Sequence, residues 1–329
     1  MNKAMRMEFS ICRDKQRWDA FVVKSPQGTI FCESRFLDAL ADDYELPVIE
    51  EGGHITMGAV VMLHDGAVLP APYPLTMYHG ALCCAESERM PHHRCARWLP
   101  ERVEFLLAAM ARRYTRISLC LSHRFQDIRG FQWFNYHEPG RGTFAAKIGY
   151  TGLLGLHAVV DFDTLLAQVR TVRRQEYRMG VERGLNIEPS SDVQLLNRLH
   201  AATFKRQGVT RSVEEEKVLL AVSEAAVRSG FGELLVCRLG DGEPASATLF
   251  LYDERYAYYY IGANDPEYRD TGSGTFLVLE NIRRALERRL AAVDFVGINS
   301  PRRGDFKTSF NARPVPYYML DYIQGVNRQ

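Results

Sequence analysis

The chain has 329 residues, 46% hydrophobic and 25% charged, which is close to the balance of soluble globular proteins and excludes a disordered or fibrous class. Lysine plus arginine (41) nearly equals aspartate plus glutamate (40), so no overall field draws the chain to nucleic acid or anionic lipid, and any anion site must be local. No apolar run nears the roughly 20 residues that span a bilayer, and Met1 to Ser10 lacks an apolar signal core, so a cytoplasmic protein with no integral membrane part is expected.

Trp18, Phe21 and Val22 at helical spacing predict a helix over Lys15 to Lys24. Ser25-Pro26-Gln27-Gly28 breaks it, and helical periodicity resumes from Glu33 to Tyr44. Strand patterns cover Leu46 to Glu50, Ile55 to Leu63 and Ala67 to Leu69, with turns at Gly52-Gly53 and His64-Asp65-Gly66. A proline-rich loop, Pro70 to Pro74, leads into Leu75 to Gly80. A helix from about Leu99 to Tyr114 and a strand over Arg116 to Leu121 complete one α/β unit. After the loop Pro139 to Gly142 comes a strand-like run, Leu153 to Val160, and a boundary near residue 155 gives domains 1–155 and 156–329.

The second half repeats the order, with helices over Asp163 to Gly184, Val193 to Arg206 and Glu214 to Arg228. Strands follow at Leu234 to Leu239, Ala245 to Tyr252 and Arg255 to Gly262, joined by hairpin-type connections, so this block is antiparallel. The fold class is α/β with two similar domains, each a mixed, mainly antiparallel sheet flanked by helices. Of the seven cysteines none forms a Cys-x-x-Cys pair, and the group Cys83, Cys84, His92, His93 and Cys95 lacks a familiar zinc spacing, so no metal is expected.

The chemistry-bearing segment is Asn264 to Gly274, between a strand and an amphipathic helix striped by Leu279, Ile282 and Leu286. A helix start exposes main-chain N–H groups and carries about half a positive charge. Gly272 and Gly274 let a diphosphate approach the backbone, and Thr271, Ser273 or Thr275 can add a hydroxyl. The segment is neither a dinucleotide fingerprint, since Leu277 replaces the third glycine, nor a P-loop, since no Gly-Lys-Ser/Thr follows.

The run Asp265 to Gly274, with its Arg-x-x-Gly-x-Gly, closely resembles the acyl-CoA-binding motif of the GCN5-related N-acetyltransferase (GNAT) superfamily. The resemblance implies that Arg269 to Gly274 bind the coenzyme A pyrophosphate and that the strand at Ile261, Gly262 and Ala263 pairs with the pantetheine arm. A wider resemblance, to the FemABX-like branch of tandem GNAT-fold transferases, rests on Trp18 to Leu40, Pro72 to Gly80, Arg170 to Gly184 and Asp294 to Tyr318, including Phe306-Lys307-Thr308-Ser309-Phe310. Asn311 stands where that branch usually has glycine. By family position Lys307 is the cation beside the acyl group.

Asp294 lies in an apolar strand over Ala292 to Ile298, from which it can face the cleft as a base, or simply end the strand. Tyr259 points opposite to Tyr258 and Tyr260, and either ligand contact or packing explains the three. His200 faces its helix's own apolar stripe and reads as a core histidine. Arg170, Arg174 and Arg178, with Arg173 beside them, form a helix face that can grip a phosphate or be solvated. The resulting expectation is an acyltransferase that moves an acyl group from acyl-CoA, acetyl-CoA being the simplest, to an amine of a sugar- or amino-acid-containing cell-envelope or exopolysaccharide precursor, lipid- or nucleotide-linked. The alternatives are an aminoacyl-tRNA-dependent transferase of the peptidoglycan-bridge type, with tRNA as partner, and a non-catalytic binding module.

Overall fold

The computed structural model describes residues 6–40, 43–206 and 208–325. The chain divides into two compact units, Met1–Gly149 with Pro316–Gln329, and Tyr150–Val315. The division falls just ahead of residue 155, and the C-terminal segment belongs to the first unit rather than to the second.

In the first unit, β1 (Glu8–Ile11) precedes α1 (Lys15–Lys24), which begins where Asp14 accepts a hydrogen bond from the Arg17 amide at 3.0 Å. The expected helix over Glu33 to Tyr44 is only a single turn, α2 (Ser34–Leu37), and Asp43–Glu45 is strand β2; residues 41–42 lie outside the described residues. Next come β3 (Pro47–Glu51) and β4 (His54–Gly58), joined through Gly52 and Gly53, both at positive φ. The single strand expected over Ile55 to Leu63 is two: β5 (Val61–His64) leaves β4 and pairs instead with β2 and β6 (Ala67–Val68). Then follow β7 (Leu82–Cys83), α3 (His92–Arg113), β8 (Arg116–Cys120), α4 (Arg129–Gln132) and β9 (Ala145–Gly155). On α3, Val103, Leu106, Leu107 and Met110 are buried against Ile49, Met57, Ile117, Leu119 and Phe131.

In the second unit the helix expected over Asp163 to Gly184 is broken into α5 (Phe162–Gln168) and α6 (Thr171–Glu182). The cause is a tertiary contact: the Arg170 amide donates to the Ser309 carbonyl at 2.9 Å instead of continuing the helix. A strand that the periodicity did not suggest, β10 (Asn186–Pro189), precedes α7 (Val193–Arg206) and α8 (Val213–Ser229), the latter closed by a Ser212/Glu215 capping box. β11 (Gly232–Arg238), β12 (Pro244–Tyr252) and β13 (Tyr256–Asn264) form the expected antiparallel block. After α9 (Ser273–Glu287), β14 (Ala292–Asp294) pairs parallel with β13 and antiparallel with β9. The order within this unit is β10-β11-β12-β13-β14-β9. The remaining elements are α10 (Pro301–Thr308) and β15 (Arg313–Ile323), whose later residues pair with β8.

Trp18 is fully buried, its Nε1 donates to the Cys32 carbonyl at 2.7 Å, and Gly58 leaves room for the ring, since a Cβ there meets it at 2.7 Å. Trp18→Ala removes packing, leaves a cavity and orphans that carbonyl. It is expected to destabilise the protein by about 3–5 kcal/mol, read as a lower midpoint in denaturant unfolding.

Candidate functional site

The glycine segment folds into a distinct helix start. Arg269–Thr271 makes one 3₁₀ turn, Gly272 takes a left-handed conformation at φ 82°, and α9 begins at Ser273 with no side-chain cap. Gly272 is required twice over: its positive φ disfavours any side chain, and a Cβ there lies 3.0 Å from the Glu176 carbonyl. The Phe276 amide makes the first regular helical bond, to the Gly272 carbonyl at 2.9 Å, and the Ser273 amide reaches the Thr271 hydroxyl at 3.3 Å. Among the described residues the Gly274 and Thr275 amides have no acceptor. The side chains behave differently from expectation. The Thr275 hydroxyl donates to the Glu176 carboxylate and accepts from Arg173 Nη1 at 3.0 Å, while Ser273 is fully buried, so neither hydroxyl is offered outward. Arg269 lies beside Asp270 at 3.0 Å.

Preceding this turn, β13 is asymmetric. On one side it pairs with β12 along its whole length, with a bulge that makes Tyr260 the extra residue. On the other it pairs with β14 only at Tyr256, Ala257 and Tyr258, and among the described residues no strand pairs with its far edge from Tyr259 onward. The reason is the early end of β14: the strand expected to reach Ile298 stops at Asp294, after which Val296 and Gly297 both adopt positive φ. Phe295 and Ile298 then donate to Gly152 and Tyr150, on the β9 side.

Two of the expected catalytic residues build this turn. Asp294 is fully buried; one carboxylate oxygen accepts from the Thr151 hydroxyl and, at 2.8 Å, from the Val296 amide, an Asx-type bond that closes the turn rather than lining a cleft. The Lys307 ammonium is buried too and donates to the carbonyls of Phe295, of Val296 at 2.8 Å and of Gly297 at 3.1 Å. All three of its donors are thereby used, so it has none left for an oxyanion. Burial pushes its pKa down to about 7, with the Arg303 charge adding to the fall and Asp294 opposing it. Tyr259 packs in the core, stacked on Phe250 at 5.3 Å and edge-on to Phe295, and burial pushes its hydroxyl up to about 12. Gly262 makes room for that hydroxyl, since a Cβ there meets it at 1.8 Å. Ile261 and Ala263 are buried on the same strand. His200 is a buried histidine, as its position suggested, with its Nδ1 3.2 Å from Arg211.

The arginine face does not act as a unit. Arg170 pairs with Asp305 at 2.9 Å, Arg174 donates to the Ala167 and Val169 carbonyls at 2.9 and 2.7 Å, and Arg178 is exposed. Their neighbour Arg173 reaches the site: besides Thr275 it contacts Glu176 at 2.5 Å and Ser309 at 2.8 Å, and its guanidinium lies over Phe306. The periodicity showed which arginines share a face, but not which one turns inward. Arg303 was also not singled out. It stands one turn before Lys307 on α10 and is exposed, and no sequence pattern marks it.

Residues 166–308 match the family model of the Acetyltransferase (GNAT) domain. That match lies within the second unit. The whole chain superposes on FemX with a TM-score of 0.70 at 15% identity, covering 97% of this chain and 98% of that one. A tandem GNAT protein from the clavulanic acid biosynthesis pathway gives 0.53 at 14% identity, over 98% of this chain and 100% of that one. L-PGS from Bacillus licheniformis gives 0.55 at 11% identity, over 93% and 91% respectively. No protein of curated function matches the chain in sequence. The chain therefore shares the fold of FemX and of the tandem GNAT protein, and among the described residues no helix is long and apolar enough to cross a membrane.

The buried lysine of the second unit has a measurable signature. Its folded pKa of about 7 lies below the ordinary 10.5, so between these values the unfolded chain binds the additional proton and stability rises with pH. Lys307→Met lacks this contribution. The stability gap between native protein and variant is expected to widen from pH 7 to pH 10 in guanidinium unfolding, and parallel profiles count against a depressed lysine.

Proposed function

We propose that the protein is an acyl-CoA-dependent N-acyltransferase. The observation that carries this reading is the pair of acceptorless amides at Gly274 and Thr275, beside a left-handed Gly272 and directly after a strand with an open edge. A pyrophosphate placed there gains main-chain hydrogen bonds of roughly 1.5–3 kcal/mol each, and the helix start adds positive potential. Short of Asn264, whose amide and carbonyl are both taken by the Thr203 hydroxyl at 3.1 Å, the edge of β13 from Tyr259 onward offers strand-like bonds to the amide groups of a pantetheine arm, around Ile261, Gly262 and Ala263.

In the reaction that follows from this arrangement, the amine nitrogen of the acceptor attacks the thioester carbonyl. The carbon–sulfur bond breaks, the nitrogen loses its proton and the sulfur leaves as thiolate or thiol. Asp294, Lys307 and Tyr259 contribute by position: they hold the turn and the strand that frame the thioester, rather than exchanging protons with it. The acceptor we assign is an amine on a sugar or amino acid of a cell-envelope or exopolysaccharide precursor, carried by a lipid or nucleotide. A donor of the aminoacyl-tRNA type is the second reading, favoured by the end-to-end likeness to FemX.

Calorimetry decides the donor. Acetyl-CoA is expected to bind with a Kd below 1 mM. In Gly274→Asp a Cβ meets the Asn264 side chain at 2.4 Å and a carboxylate faces the open amides, so binding is expected to fall at least a hundredfold with an unchanged circular dichroism spectrum. Absence of acetyl-CoA binding by the native protein overturns the reading.

A further inference from the structure

The free edge of β13 and the start of α9 meet at one residue. Asn264 closes the strand: the Thr203 hydroxyl on α7 accepts from its amide and donates to its carbonyl, both at 3.1 Å, so its main chain has nothing left for a ligand. Its side chain is placed differently. On the face of the sheet that carries Thr248 and its partner Gly262, the Thr248 hydroxyl accepts from Asn281 of α9 at 2.8 Å. Ser246 and Asn264 pair two residues further on, so Asn264 projects toward α9 as well. The contact with that helix is direct: a Cβ on Gly274 would collide with Asn264 Oδ1 and lie 3.2 Å from its Nδ2. The missing side chain at Gly274 is what admits this amide.

The protein makes no use of the amide it admits. Asn264 is half-buried, and among the described residues its Oδ1 and Nδ2 have no hydrogen-bond partner. The same corner holds the acceptorless amides of Gly274 and Thr275, and the fully buried Ser273 hydroxyl, which has no partner there either. An asparagine beside a helix start ordinarily caps it by accepting from a first-turn amide. Here α9 has no side-chain cap although Asn264 touches its second residue. The side-chain N–H and the two main-chain N–H groups therefore form one donor set at the end of the strand edge, suited to an anionic oxygen.

We propose that Asn264 is a specificity-determining residue for the donor, its Nδ2–H binding a phosphate oxygen of phosphopantetheine where the arm along β13 gives way to the diphosphate. This rests on the transferase reading and narrows it: the phosphorylated end of the pantetheine arm is the part that a side chain recognises. Its role is a hydrogen bond to the carrier, with no proton or acyl group passing through it.

Calorimetry on the native protein and two variants tests this with CoA, with 4′-phosphopantetheine, and with pantetheine, which lacks phosphate. Asn264→Ala is expected to weaken CoA and 4′-phosphopantetheine about tenfold and to spare pantetheine. Asn264→Asp keeps the shape but sets a carboxylate against the phosphate, and is expected to weaken the two phosphorylated ligands about a hundredfold, again sparing pantetheine. A carboxylate beside a helix start is itself favourable, so the thermal midpoint of Asn264→Asp is expected to hold or rise while binding is lost, the reverse of what a packing role gives. The bonds to Thr203 use main-chain atoms and remain in both variants. The proposal is overturned if both variants bind CoA as the native protein does, if pantetheine weakens as much as CoA, or if the midpoint of Asn264→Asp falls along with its affinity. In each of those cases CoA binding by the native protein leaves the donor reading standing. If the native protein binds none of the three ligands, the donor reading itself fails and the proposal falls with it.

Discussion

The geometry of the second unit depends on one buried ammonium. Lys307 gathers the carbonyls of Phe295, Val296 and Gly297 around itself, three oxygens that a strand would otherwise spread along its length. Together with the Asp294–Val296 bond, this ends β14 after three residues and forces the chain into two consecutive positive-φ positions. Burying an ammonium is expensive unless its donors are filled, and here each of them is. Because β14 stops, β13 keeps an unpaired edge, and that edge together with the start of α9 defines the site.

A second fixture ties the two ends of the site. Arg173 bonds Thr275 in the first turn of α9 and Ser309 just after α10, and Glu176 completes the group. The helix start and the lysine-bearing helix are thus held by one partly buried guanidinium whose Nε and Nη1 both donate, a geometry that a lysine cannot reproduce. This arrangement separates the roles of the arginines around α6: Arg170 pairs with Asp305 on α10, Arg174 holds the carbonyls just ahead of its own helix, and Arg173 secures the site.

Much of the architecture was legible because it is written in local chemistry. The hairpin block β11–β13, the helix α9 with its Leu279 and Ile282 stripe, and Gly272 before it follow from periodicity and turn residues that act over a few positions. What was not legible depends on distant partners. The break at Arg170 exists because Ser309, far along the chain, takes its amide, and no helical pattern records that. Ile55 to Leu63 read as one apolar strand although its halves serve different sheets. The same holds for the site. The strand position of Asp294 suggested a base and the family resemblance gave Lys307 as the cation beside the acyl group, but the direction of a side chain is set by the turn it folds onto, and both turned inward.

The return of β15 to the first unit has a bearing on how this molecule is made. Arg116 to Cys120 must wait for Met319 to Ile323 before that ladder can form, so the second unit is already synthesised in full while the first still lacks an edge. Closing so wide a gap in sequence is a slow, non-local step, and until it happens β8 presents an unpaired strand edge to its surroundings. Met319 to Ile323 thus complete the first unit although they follow the second in sequence, and their loss removes the strand that pairs with β8.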